Sequence, residues 1–110
     1  MKVVYIAGPY EAYTIPEVYA NILKARDVAT KYWELGYAVI CPHSNTAFMP
    51  STSALYEGDI EILSRCDIVV MMCGWEKSKG ASLEHKRAIE LGKGIIYESS
   101  EVTDKRPQNG

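Results

Sequence analysis

Ser78-Lys79-Gly80-Ala81-Ser82-Leu83-Glu84 joins two segments of opposite character. Before it runs Asp67-Ile68-Val69-Val70-Met71-Met72-Cys73, nearly continuous in apolar side chains, as a strand covered on both faces requires. After it, Leu83, Arg87, Ala88 and Leu91 recur at helical spacing until Gly92 ends the pattern. The joint itself is built of small residues. Gly80 permits close backbone approach, and Ser78 or Ser82 can cap free N–H groups. A helix over residues 81–91 sets Glu84 in its first turn, beside unpaired N–H donors and the positive end of the dipole. Such a turn can hold a phosphate and keep a carboxylate ionised next to it. The plainer reading is that Glu84 only complements the dipole, and the turn alone does not separate the two.

Outward from this unit the same alternation repeats. Val3–Ala7 reads as a first buried strand, closed by Gly8 and Pro9, and a loop carrying Tyr10 and Tyr13 follows. Thr14 is placed to cap a helix with Pro16 in its first turn, and Val18, Ile22, Ala25, Ala29 and Trp33 form the apolar stripe that Gly36 ends. Residues 38–41 make a second strand stopped by Pro42, and residues 43–53 a polar, turn-rich loop. A second helix is expected over 54–65, with Leu55, Ile62 and Leu63 in the core and Asp59 within it. The third strand spans 67–73, and the fourth, Gly94–Tyr97, closes a domain of residues 1–97. The tail, 98–110, is polar and without periodicity, which suits either disorder or docking on a partner subunit.

Strand and helix in alternation imply an α/β three-layer sandwich, a flavodoxin- or Rossmann-like parallel sheet in the order 2-1-3-4. That order puts a switch point between the first and third strands, and ligands bind outside the strands' carboxyl ends there. The loops at that point are 8–14 and 74–80, so Gly8, Pro9 and Tyr10 become substrate-binding candidates. Glu84 lies on the same rim. Asp59 joins it if it sits near the start of its helix, and two carboxylates from different helices then converge on one pocket.

Composition narrows the classes. A chain of 110 residues has a core for one domain and no room for a second. Its net charge of −2 and pI near 5.7 argue against a nucleic-acid-binding surface. No apolar run is long enough to span a membrane, and the N-terminus enters a strand pattern rather than a secretory signal. Cys41, Cys66 and Cys73 are odd in number and lack CxxC spacing, so they read as reduced thiols of a cytoplasmic protein, not as a metal site.

Three motifs in order carry a resemblance: Tyr5-Ile6-Ala7-Gly8-Pro9, Asp59 ahead of Asp67-Ile68-Val69-Val70, and Ser78-x-Gly80-x-x-x-Glu84. From about Lys2 to Tyr97 the chain resembles the nucleoside 2-deoxyribosyltransferase superfamily. It is most similar to the small 2′-deoxynucleoside 5′-monophosphate N-glycosidases and their uncharacterised phage and bacterial relatives. The resemblance implies that Glu84 is a nucleophile attacking the anomeric carbon of the deoxyribose, in the manner of retaining glycosidases. It implies that Asp59 assists departure of the base, and that the Tyr5 hydroxyl orients the nucleophile. By the same likeness Ser78 contacts a 5′-phosphate, with Gly80 and the N–H groups near Ala81 and Ser82 completing the cradle, and His43 lines the base pocket. It implies no cofactor, a nucleoside or nucleotide as small-molecule partner, and a homodimer or larger assembly with the Asp59 helix near its interface. Pro9 departs from the pattern, standing where the monophosphate glycosidases carry a serine and removing a hydroxyl and an N–H.

Two other readings use the same residues. A non-catalytic nucleotide-binding or sensor module would need the rim but not a carboxylate pair beside an anionic ligand. A receiver-type domain would carry an acidic cluster after its first strand, where this chain has Gly8-Pro9-Tyr10. His85, adjacent to Glu84 but about 100° around the helix, is expected to point elsewhere.

Overall fold

The computed structural model describes residues 1–99. Its four strands, β1 (Val3–Ala7), β2 (Ala38–Ile40), β3 (Ile68–Met71) and β4 (Gly94–Tyr97), pair in parallel in the order 2-1-3-4. The expected sheet is therefore the observed one. Of the polar tail, residues 100–110 lie outside the described residues.

The two central strands explain the continuous apolar runs. In β1, Val4 and Ile6 face one way and Tyr5 and Ala7 the other, and all four are buried. Helix α1 (Ile15–Glu34) covers the first face, packing Ala25, Ala29 and Tyr32 on Val4, Ile6, Val39 and Val70. Helices α3 (Ser53–Ser64) and α4 (Lys79–Glu90) cover the second, bringing Leu63, Ala81 and Ala88 to Tyr5, Val69 and Met71. Each fully buried large apolar side chain contributes about 1.5–3 kcal/mol relative to exposure, so these two clusters hold the sandwich together.

The starts of the helices follow local chemistry. Thr14 caps α1 in a reciprocal box with Glu17, and Pro16 sits in the first turn, where its missing N–H costs nothing. Thr52 and Ser78 cap α3 and α4 by accepting from Leu55 N–H and Ala81 N–H, each at 3.2 Å.

Several boundaries and stripes differ from expectation. On α1 the buried member of the last turn is Tyr32, not Trp33, which is 55% exposed. The stripe 22, 25, 29, 32 keeps to the middle of one face, whereas position 33 drifts to its edge, and the Tyr32 hydroxyl is further held by Glu98 at 2.5 Å. Pro42 opens rather than closes an element: α2 (Pro42–Asn45) is a single helical turn within the expected loop. Most consequential is α4, which starts two residues before the expected Ala81 because Ser78 is its cap. Its buried stripe is Ala81, Glu84 and Ala88, while Leu83 and Leu91 are partly exposed. Glu84 thus occupies a core position in the second turn, not a dipole position in the first.

Candidate active site

The carboxyl end of β1 opens into a cavity of about 710 Å³, bounded opposite by the segment that leads from β3 into α4. Its floor is Ile6 and Gly8. Its walls come from the loop after β1 (Pro9, Tyr10), from His43 on α2, from the segment entering α3, and from Tyr56 and Asp59 on α3. Lys77, Ser78, Lys79 and Gly80 close it at the start of α4, and Glu84 faces it from the next turn. This volume suits a nucleoside-sized ligand with space for one further group.

Gly8 is required by the geometry rather than by turn preference. A Cβ there would lie 2.5 Å from Met72 Sδ and 2.8 Å from Met72 Cβ, because the Met72 N–H donates to the Ala7 carbonyl at 2.8 Å and draws the two strand ends together. The resulting notch is the floor of the cavity.

Glu84 is 9% exposed and accepts a hydrogen bond from the Tyr5 hydroxyl, 2.6 Å from Oε2. Tyr5 itself is fully buried in the sheet and does not line the cavity; it supports the carboxylate from behind. Burial pushes the Glu84 pKa up to about 7; the Tyr5 hydrogen bond opposes this, and the Asp59 charge adds to it. Asp59 is also raised, by desolvation. It lies midway along α3 and not near its start, so it reaches the cavity from the helix side and not through the helix end. The Tyr5 hydroxyl is pushed far above its ordinary range, chiefly by burial and then by the Glu84 charge, and stays a proton donor.

His43 is buried, and its Nε2–H donates to the Pro9 carbonyl at 2.8 Å, so Nε2 carries the proton. Nδ1 is buried without a partner. Burial lowers the ring's pKa against the opposing pull of the Pro9 and Gly8 carbonyls, and the imidazole is neutral. The Tyr10 ring meets it edge-on at 5.6 Å.

Of the ten residues singled out in the sequence, eight line this cavity: Gly8, Pro9, Tyr10, His43, Asp59, Ser78, Gly80 and Glu84. Tyr5 touches the site through Glu84. Ser82 does not line it; its hydroxyl lies 3.4 Å from the Trp75 carbonyl and 3.5 Å from that of Glu76, on the opposite side of the α4 start. His85 likewise turns away, to Trp75 and the Tyr97 hydroxyl. The sequence reading missed Tyr56, whose signal was its spacing: three residues before Asp59, it shares that residue's helical face. Among the described residues no group of three or more His, Cys, Asp or Glu side chains could hold a metal ion.

A parallel sheet in this order, covered by helices on both faces, with its cavity at the switch point, has the fold of the 2-deoxyribosyltransferases. It aligns with the 2-desoxiribosyltransferase from Leishmania mexicana at a TM-score of 0.66 and 19% identity, over 92% of this chain and 66% of that one. It aligns with the 2-deoxyribosyltransferase from Bacillus psychrosaccharolyticus at a TM-score of 0.62 and 20% identity, over 92% of this chain and 78% of that one. The chain thus spans just under two-thirds of the Leishmania enzyme. It belongs to the family described as a domain of unknown function, DUF4406, matched over residues 2–97. No curated protein matches it in sequence.

Proposed function

We propose that this protein cleaves or transfers the N-glycosidic bond of a deoxynucleoside or its 5′-monophosphate, with Glu84 as nucleophile. The observation that carries the reading is the Tyr5 hydroxyl, 2.6 Å from the carboxylate of Glu84, which occupies a core position of α4 yet faces the cavity. A carboxylate kept in an apolar stripe at the cost of burial has a use there. In its ionised form it would attack the anomeric carbon as the bond to the base breaks, forming a glycosyl–enzyme ester. Tyr5 would fix the attacking oxygen, and Asp59, raised by desolvation, would donate a proton or hydrogen bond to the departing base. Water or a second base would then release the sugar. The Tyr10 and His43 rings, set edge-on to one another, offer an aromatic corner for the base, and Ser78, Lys77 and Lys79 a polar end for the 5′ group.

The test is to incubate the pure protein with a panel of deoxynucleosides and monophosphates and to assay free base. Base release by the wild type, abolished in a folded Glu84→Gln variant, supports the reading; release that persists in folded Glu84→Ala overturns the nucleophile. Loss of such a group costs on the order of 10³-fold or more in rate.

We also infer that the protein is at least a homodimer, and that it acts in the cytoplasm. Tyr13, Ile15, Tyr19, Phe48 and Met49 are all about half exposed or more, whereas α3 exposes only Tyr56 among its large apolar residues. This exposed group favours a contact at the N-terminal part of α1, beside the expectation from sequence that the Asp59 helix lies near the interface. Sedimentation at micromolar concentration that gives a monomer counts against the assembly.

A further inference from the structure

Residues 46–52, between α2 and α3, supply Thr46, Met49, Ser51 and Thr52 to the cavity wall. They begin as a turn in which the Met49 N–H donates to the Thr46 carbonyl at 3.1 Å. Phe48 is the third residue of that turn and has φ 62°, the one positive value at a non-glycine position among the described residues. A turn of this kind takes glycine or asparagine there, and a bulky side chain is an outlier. Burial does not compensate, since Phe48 is 53% exposed and Met49 49% exposed.

What holds the conformation is a single side chain. The Phe48 N–H donates to the Tyr10 hydroxyl at 2.6 Å. Tyr10 is itself anchored: its carbonyl accepts from Asn21 Nδ2 on α1 at 3.0 Å, and its ring rests against that of His43, whose Nε2–H is bonded to Pro9. The rigid side of the cavity therefore grips the irregular side at one point, and that point is the strained one. Without the bond, Phe48 is free to relax to the ordinary extended basin.

We propose that Tyr10 is a positioning residue that latches residues 46–52 over the cavity, and that Phe48 is the strained hinge on which this cover opens. A ligand lying against Tyr10, Thr46 and Met49 touches both sides of the latch and favours the closed state. The proposal does not depend on which bond the site cleaves.

The experiment is amide hydrogen exchange on the full chain, comparing wild type, Tyr10→Phe, Phe48→Gly and the double variant. Tyr10→Phe keeps the ring and deletes the latch, and should speed exchange in 46–52 by up to about tenfold, with β1 and β3 unchanged. Glycine adopts the left-handed conformation freely, so the double variant should recover most of the protection. Unchanged exchange in Tyr10→Phe, or a double variant that exchanges as fast as Tyr10→Phe, overturns the proposal. If Tyr10→Phe does not fold, Phe48→Gly alone decides: slower exchange in 46–52 than in wild type supports the strained hinge, and equal or faster exchange overturns it.

Discussion

The Tyr5 hydroxyl and Glu84 Oε2 lie 2.6 Å apart although 79 positions separate them in the chain. The contact joins a central strand to a covering helix and favours the ionised carboxylate against the effect of burial. Burial raises the Glu84 pKa to about 7, with Tyr5 opposing and Asp59 assisting. Base release that needs ionised Glu84 should rise with pH through about 7. Tyr5→Phe removes the group that favours ionisation and should move that limb to higher pH. The profile of kcat/KM against pH checks this, and a shift of the opposite sign would refute the assignment.

The same carboxylate should make stability depend on pH. From the ordinary value of 4.5 up to about 7, folded Glu84 holds its proton while the unfolded chain has lost it. The folded state then binds more protons, so stability falls as pH rises through this window and levels off above it. The loss is on the order of 3 kcal/mol. Glu84→Gln should remove that slope and be the more stable protein at pH 8, which denaturant titrations at several pH values would measure.

Gly8→Ala tests the floor of the cavity. Its Cβ would overlap Met72 at both Sδ and Cβ, so the side chain cannot simply swing aside. Overpacking of this kind costs about 1–3 kcal/mol, and each kcal/mol lowers the Tm by roughly 4–8 °C in a domain of up to about 100 residues. Thermal unfolding followed by circular dichroism would show it, and a Tm within a degree of wild type would mean that the strand ends part easily.

Ser78 has two separable duties. Its oxygen accepts from the Ala81 N–H at 3.2 Å, which leaves its own proton to donate. Ser78→Ala should lower stability by about 1 kcal/mol through loss of the cap. It should also weaken binding of a deoxynucleoside monophosphate by roughly tenfold to a hundredfold while leaving the unphosphorylated nucleoside unaffected. Ser78→Thr keeps the hydroxyl and should retain both. Paired calorimetric titrations decide, and equal weakening for the two ligands would exclude a phosphate at this end.

The strands and their order were legible because buried parallel strands leave continuous apolar runs that local composition reveals, but not the turn of its helix on which Asp59 or Glu84 stands. Helix faces were harder. In α4 the residues Leu83 and Leu91 look like core, but the cap at Ser78 shifts the start and turns Ala81, Glu84 and Ala88 inward. A buried carboxylate breaks the apolar pattern by which a core face is recognised, so Glu84 hid its own stripe. Phe48 gave no signal at all, since nothing in its neighbours demands a positive φ. That conformation depends on Tyr10, 38 positions away, and sequence reading sees only local preferences.

Tyr5 has consequences for how variants of this protein would be scored. Its ring is as fully buried as Val4 and Ile6 on the other face of the sheet, and its hydroxyl reaches Glu84. A survey that counts only surviving folded molecules would class it with its two strand neighbours as filling. Tyr5→Phe would be accepted by such a survey at little penalty and rejected by an assay of turnover. The gap between those two scores, position by position along β1, would mark where the sheet stops being scaffold.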